Sequence, residues 1–176
     1  MYRMTLRLDV GIQAENFRLK DGEGREVALE DYRGRDNVLL LFFLGGFDLF
    51  AMRGLRELAR MYSDIKSLDT EVLAITPELQ GKVKTLTDNL KPPFRVLSDP
   101  ELKTVKMYDV YDPMKNWTWP AAFIIDRNGI VQYSFRGASP PNTPELQYII
   151  SKLRQMKEGK SEGQAAQQSA AAAKKK

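Results

Sequence analysis

The chain has 176 residues, of which 43% are hydrophobic and 28% are charged, and it contains no cysteine and no histidine. This composition is typical of a globular domain and excludes a collagen-like chain or a disulfide-stabilised scaffold. The two missing residue types exclude a thiolate nucleophile, an imidazole base and the cysteine or histidine ligands of a metal centre. Residues 160–176 carry most of the net charge of +4, so the rest of the chain is nearly neutral and predicts no nucleic-acid groove.

The N-terminal part of the chain predicts a β-hairpin followed by a buried strand. Residues 16–20 and 25–29 flank the turn-forming sequence Asp21-Gly22-Glu23-Gly24, a pattern that favours a hairpin. Residues 38–44 form a continuous apolar run, which is typical of a strand buried on both faces of a sheet. A helix is predicted next, and its apolar face contains Leu55, Leu58, Ala59, Tyr62 and Ile65.

The middle of the chain predicts another strand and two helices. Residues 71–76 have the apolar character of a second buried strand. Thr76-Pro77 predicts the cap and the first turn of a helix, because threonine is a good N-cap and proline fits the first helical position. Asp99-Pro100 predicts the start of a shorter helix for the same reason.

The C-terminal part predicts a second hairpin and a closing helix. Residues 121–126 and 130–135 are predicted strands that flank Asn128-Gly129, a strong hairpin signal. Thr143-Pro144 predicts the start of the last helix. Strands that alternate with helices and end in an antiparallel pair indicate an α/β fold with a mixed central sheet flanked by helices.

We predict one folded domain over residues 5–157 and a disordered, low-complexity tail over residues 158–176. The tail is rich in alanine, glutamine and lysine and has no apolar period. No apolar run reaches the ~18 residues of a membrane span, and residues 1–9 lack the apolar core of a signal peptide. We therefore expect a cytoplasmic protein without membrane contact.

Five segments of the chain carry a resemblance to a known family. They are Gly11–Phe17 (GIQAENF), Val27–Gly34 (VALEDYRG), Leu39–Leu44 (LLLFFL), Leu97–Pro100 (LSDP) and Pro120–Gly129 (PAAFIIDRNG). In this order and spacing they resemble the peroxiredoxin (AhpC/TSA) branch of the thioredoxin superfamily, from about residue 10 to residue 155. The resemblance implies a thioredoxin-like fold of peroxiredoxin type. For the family it also implies an antioxidant oxidoreductase that reduces peroxides with a cysteine thiolate.

The positions that carry this chemistry in the family differ in this chain. The family motif Pro-x-x-x-Thr-x-x-Cys follows the central strand, and the resemblance places Leu44, Asp48 and Ala51 at its proline, threonine and cysteine. Pro120 stands where the family often has its active-site arginine. Because these positions differ together, we interpret the site as degenerate rather than as the product of a single substitution.

The sequence leaves two functions open. In the first, the chain is a non-catalytic binding or dimerising module that uses the former active-site face. In the second, it is an antioxidant thiol peroxidase whose cysteine has been removed in this chain; chemistry led by Asp48 is a further version of the enzyme hypothesis. No cofactor and no metal ion is predicted, because caps and turns explain the acidic residues Asp48, Asp109, Asp112 and Asp126.

Four aromatic residues are the candidate binding residues of the former active-site face: Phe47, Phe50, Trp117 and Trp119. Exposed together, they would form a patch for a protein partner or an apolar ligand. Alternatively, they pack over the vacated cysteine pocket and support a homodimer. Because thioredoxins have a cis-proline before the equivalent strand, a cis bond between Trp119 and Pro120 is a further hypothesis.

Overall fold

The structure, a computed structural model, describes residues 8–173 and the side chains of residues 8–159. Within these residues there are nine strands: β1 (Arg18–Asp21), β2 (Glu26–Ala28), β3 (Asn37–Phe42), β4 (Thr70–Thr76), β5 (Arg95–Ser98), β6 (Tyr111–Asp112), β7 (Trp117–Thr118), β8 (Ala121–Ile125) and β9 (Val131–Arg136). The same residues contain a 3-10 helix at Leu29–Tyr32 and four α-helices: α1 (Leu49–Ser67), α2 (Gln80–Leu90), α3 (Lys103–Met107) and α4 (Leu146–Ala173).

Seven of these strands form one mixed sheet in the order β2-β1-β5-β4-β3-β8-β9. The central strands β3, β4 and β5 are parallel, and the outer neighbours pair antiparallel. Strands β6 and β7 form a separate two-stranded ribbon. The predicted mixed sheet flanked by helices is therefore confirmed, while β5, β6 and β7 were not predicted because they are short and lack a long apolar run.

The sheet separates two hydrophobic cores. One core lies on the face of the sheet covered by the 3-10 helix and α3, and it contains Leu40 and Tyr108. The other core lies under α1, α2 and α4 and contains Leu39 and Leu55. Adjacent residues of β3 thus point into different cores, which explains why this strand is apolar at every position from Val38 to Phe42 rather than at alternate positions.

Three helices begin later than the sequence predicts: α4 begins at Leu146 rather than at Thr143-Pro144, and α2 and α3 are displaced further. Thr76 is the last residue of β4 and pairs with Ser98, so it cannot cap a helix; α2 begins at Gln80. The prediction that Thr76-Pro77 starts the helix is therefore wrong. The shorter helix α3 begins only at Lys103, yet the carboxylate of Asp99 still accepts the N–H of Val105 at 2.9 Å. Asp99 thus holds the start of this helix from a position before its first turn.

The closing helix is longer than expected. It begins at Leu146 and continues to Ala173, whereas the sequence predicts a disordered tail from residue 158. The helical backbone has a physical reason, since alanine, glutamine and lysine have high helix propensity. Among the described side chains of α4, Met156 is the last one packed against a core, and the domain boundary at residue 157 stays a prediction. No helix in residues 8–173 combines the length and the apolar character of a membrane span.

Candidate binding site beside the first long helix

The loop between β3 and α1 is held by hydrogen bonds from three neighbouring segments. The carbonyl oxygen of Leu44 accepts from Oγ1 of Thr76 at 3.2 Å and from Nε1 of Trp117 at 2.8 Å. The N–H of Gly46 donates to Oε2 of Glu78 at 3.0 Å. These contacts tie the loop to the end of β4 and to β7, so the first turn of α1 has a defined position at the end of the parallel strands.

Asp48 is the N-cap of α1. Its carboxylate accepts the N–H of Phe50 at 3.2 Å and the N–H of Ala51 at 3.3 Å. An acidic cap stabilises a helix because it satisfies free N–H groups and opposes the positive end of the helix dipole. The same contacts place a negative charge next to residue 51, which is the position that the resemblance assigns to the family's cysteine.

The four positions interpreted as a degenerate site meet in one pocket. Leu44, Asp48, Ala51 and Pro120 all line a cavity of about 100 Å³ between the start of α1 and the start of α4. Ala51 is 8% exposed and contributes only a methyl group to this cavity. The far wall comes from Pro140, Thr143, Pro144, Leu146 and Ile149.

Sequence reasoning did not assign this far wall to the site. Its residues lie about 90 positions after Ala51 in the chain, and the only local signal was a cluster of prolines before the last helix. Proline marks a loop or a helix start but does not say which part of the fold the loop will approach. The contact is decided by the packing of α4 against the same core as α1.

The charges in the pocket wall do not favour a thiolate. The charged side chains among its lining residues are Asp48 and Glu57, and neither lysine nor arginine is among the described residues that line it. A nearby carboxylate disfavours an anionic form, whereas a nearby cation favours it. A cysteine at position 51 would therefore lack the cationic neighbour that lowers a thiol pKa, and it would lie beside an acidic cap.

The four predicted aromatic residues have different surroundings. Phe50 is 47% exposed and lines the pocket. Phe47 is 66% exposed, and its ring centroid lies 6.4 Å from that of Trp117. Trp119 is half-buried, and its backbone N–H donates to the carbonyl oxygen of Val110 at 2.8 Å. The structure thus brings Phe50 to the pocket and pairs Phe47 with Trp117, while Trp119 is not among the lining residues.

Leu49 is an exposed apolar residue that sequence reasoning did not assign to this face. It lies between Phe47 and Phe50 in the chain and is 84% exposed. Three of the four residues from 47 to 50 therefore present apolar side chains to solvent, and of these three Phe50 lines the pocket. The signal was present in the sequence FDLF, but a leucine at a helix start is equally consistent with burial.

The peptide bond between Trp119 and Pro120 is trans, because the structure contains no cis peptide bond in residues 8–173. The hypothesis of a cis-proline at this position is therefore wrong. The N–H of Trp119 is bound to Val110, and the carbonyl oxygen of Pro120 accepts the N–H of Gly137 at 2.7 Å. These two bonds hold the chain as it passes from β7 to β8, and trans is the lower-energy form of such a bond.

Comparisons with known proteins agree with this architecture. The chain is similar to alkyl hydroperoxide reductase E of Mycobacterium tuberculosis, with 30% identity over 129 residues that cover 72% of this chain and 84% of the relative. It is 27% identical to the chloroplastic peroxiredoxin Q of rice (Oryza sativa subsp. japonica) over 136 residues, which are 77% of this chain and 62% of the relative. The chain thus spans less than two thirds of the rice protein's length.

A solved structure shows the same fold. The crystal structure of Enterococcus faecalis AhpC superposes with a TM-score of 0.80 and 19% identity, covering 90% of this chain and 97% of that protein. The thioredoxin-like fold of peroxiredoxin type is thereby confirmed. The sequence model that describes the AhpC/TSA family matches residues 10–134, which are more than half of the chain. This match and the mycobacterial relative show that the chain belongs to the AhpC/TSA family.

Proposed function

We propose that this chain is a non-catalytic AhpC/TSA protein whose former active-site face binds an apolar side chain of another protein chain. The partner that we propose is a second copy of the same chain. The observation that carries the proposal is the pocket at Ala51. It contains the position that the resemblance assigns to the family's cysteine, its wall combines apolar side chains with carboxylates, and neither lysine nor arginine is among the described residues that line it.

The size and chemistry of the pocket support a side chain as the ligand. Apart from Asp48, Gly54, Glu57 and Thr143, its lining residues are apolar. Its volume of about 100 Å³ is below the ~300–1,000 Å³ that is usual for cofactors and small-molecule substrates. An aliphatic or aromatic side chain that projects from a protein surface fits both properties.

The exposed apolar residues at the mouth support a protein as the owner of that side chain. Phe50 lines the cavity and is solvent-exposed, and Phe47 and Leu49, its near neighbours in the chain, are exposed as well. Single exposed apolar residues are common, whereas grouped ones mark interaction surfaces. An aromatic anchor that fills a pocket in the centre of an interface contributes most of the binding energy in many complexes. In a symmetric dimer, Phe47 or Phe50 of each copy can supply that anchor to the other copy.

Sedimentation velocity over a wide range of protein concentration tests this proposal. We expect the wild-type chain to dimerise as its concentration rises. Dimerisation should be lost in F47S/F50S and in A51F, because the phenylalanine at position 51 would fill the cavity. The control is L79S, because Leu79 is 67% exposed but does not line the pocket. A wild-type chain that stays monomeric throughout, or an F47S/F50S variant that dimerises equally well, would overturn the proposal.

The second candidate is a thiol peroxidase whose cysteine has been removed, and its support is the preserved position of residue 51 in the first turn of α1 at a pocket. Hydroperoxide consumption with dithiothreitol separates the two. We expect no activity above background for A51C, and activity only when the family residues are restored together in L44P/D48T/A51C/P120R. If A51C alone consumes hydroperoxide as fast as the quadruple variant, the pocket is still adapted to peroxide chemistry and the enzyme hypothesis is the better one.

A further inference from the structure

A second depression lies on the opposite side of α1 from the pocket, between α1 and α2. It is a groove of about 380 Å³ lined by Met52, Arg56, Ala59, Arg60, Asn89 and Leu90. None of these residues belongs to the lining of the pocket at Ala51. The two depressions are thus separate sites that share α1 as their common wall.

The edge of this groove is basic. Arg56 and Arg60 line the groove and are exposed. Arg53, also exposed, lies on the same helix face, because the three arginines follow the spacing i, i+3 and i+7. Within the part of the chain whose side chains are described, none of the three takes part in a salt bridge or a side-chain hydrogen bond. They span about 10 Å along the helix axis at the usual rise per residue.

Some other exposed basic residues of the molecule have acidic partners. Lys84 of α2 bonds to Glu23 at 3.0 Å and to Asp88 at 3.1 Å, and Lys103 bonds to Glu101 at 2.8 Å. The three arginines of α1 differ from Lys84 and Lys103 in keeping their donors available.

The exposed lysines Lys20, Lys82 and Lys115 are also without an ion pair among the described residues, so the distinction of the arginines is that they lie together on one helix face. Glu57 and Asp64 lie one turn from Arg53 and Arg60 on the same helix but form no salt bridge with them, so the guanidinium groups keep their donors for a ligand with negative charge.

The floor of the groove is apolar. Met52, Ala59 and Leu90 are half-buried and pack against the core under α1 and α2. Methionine adapts to differently shaped apolar ligands because its chain is unbranched and flexible. Asn89 adds an amide that can donate to or accept from a peptide backbone at the rim.

We propose that this groove binds an acidic peptide segment of a partner protein, with one apolar side chain on the floor and carboxylates on the arginines. Arginine is well suited to this role, because its guanidinium group holds a carboxylate through two parallel hydrogen bonds. Two turns of arginine-lined helix match a short acidic segment rather than a nucleic acid, whose binding depends on contacts with several successive phosphates. The floor also lacks the aromatic side chains on which unpaired bases stack.

Selection of displayed random peptides on the full-length chain tests this inference. We expect enrichment of peptides that combine aspartate or glutamate with one leucine, methionine or phenylalanine. The peptide that is enriched most is then synthesised with a fluorophore, and its affinity is measured by fluorescence anisotropy. We expect R56E/R60E to weaken its binding by about tenfold or more, and added salt to weaken binding to the wild-type chain.

Two controls keep the test decisive. K20E/K115E makes the same change in net charge at two exposed lysines outside the groove, and it should leave the affinity unchanged. R56Q/R60Q is the milder variant to use if R56E/R60E does not fold, as judged by its thermal unfolding. Enriched peptides without acidic residues, or equal binding to both arginine variants and the wild-type chain, would overturn the inference. Binding of oligo(dT) that displaces the peptide and depends on the same arginines would overturn it in favour of a nucleic-acid site.

Discussion

The two depressions on either side of α1 are made from one helix but differ in charge. The pocket towards α4 has apolar walls and two carboxylates, Asp48 and Glu57. The groove towards α2 has an apolar floor and two arginines, Arg56 and Arg60. Because side chains of a helix separate by about 100° per residue, a short stretch of sequence can build two sites of opposite charge.

The two sides of α1 also differ in how far their charges are tied to the fold. At the pocket, the residue that the resemblance assigns to catalysis is a buried alanine, and the helix N-terminus is neutralised by an acidic cap. At the groove, the charges belong to exposed residues that take no part in holding the helix on the sheet. The charge at the first site is therefore coupled to the fold through the cap of α1, whereas the charges at the second are almost independent of it.

The largest effect on stability is expected when a buried side chain of α1 that lines the pocket is truncated. Leu58 is 2% exposed, belongs to the core under α1 and lines the pocket. Leu58→Ala should lower the free energy of unfolding by ~2–5 kcal/mol, because it removes buried methyl groups and leaves a cavity. Urea denaturation measures this, with Leu79→Ala as the exposed control that should change stability by less than ~0.5 kcal/mol. Equal effects of both changes would contradict the assignment of Leu58 to the core.

The next effect tests the acidic character of the pocket directly. In A51C the new thiol would lie beside the carboxylate of Asp48, so its pKa should be higher than in D48T/A51C by roughly one unit. Threonine keeps a capping oxygen at position 48 while it removes the charge. The rate of alkylation by iodoacetamide as a function of pH gives both pKa values. Identical pKa values in the two variants would show that Asp48 does not act on residue 51.

A smaller effect is expected from the cap alone. Asp48→Ala removes the acceptor of two N–H groups of α1 and should lower the free energy of unfolding by ~1 kcal/mol. Asp48→Asn retains a capping oxygen without the charge, so its loss should be smaller. Thermal unfolding of the three proteins measures the order wild type, Asn, Ala. An alanine variant as stable as the wild type would mean that the N–H groups find another acceptor.

The smallest effect is expected on the groove side. R56A/R60A should change the free energy of unfolding by no more than ~0.5 kcal/mol, since both side chains are exposed and unpaired within the described residues. The same variant should lose the affinity for the acidic peptide described above. A stability loss comparable with that of Leu58→Ala would show that the arginines hold the fold, and the contrast between the two sides of α1 would then disappear.

The sequence by itself determined the fold class and the chemical limits of this protein. The family segments and the apolar run over β3 identify an α/β sheet, because a strand buried on both faces needs apolar residues throughout. Asn128-Gly129 marks the hairpin between β8 and β9, and Gly129 has a φ of 83° that suits glycine. The absence of cysteine from the sequence by itself excludes thiol chemistry in this chain.

The tertiary structure alone decided which residues meet. The strand β5 forms because its backbone pairs with β1 and β4, although its four residues carry little signal of their own. Thr76 continues β4 rather than capping a helix, since pairing with Ser98 outweighs a local preference. The wall of the pocket around Pro144 and the groove at Arg56 join residues that are distant in the chain, and such contacts depend on packing between helices rather than on any local pattern.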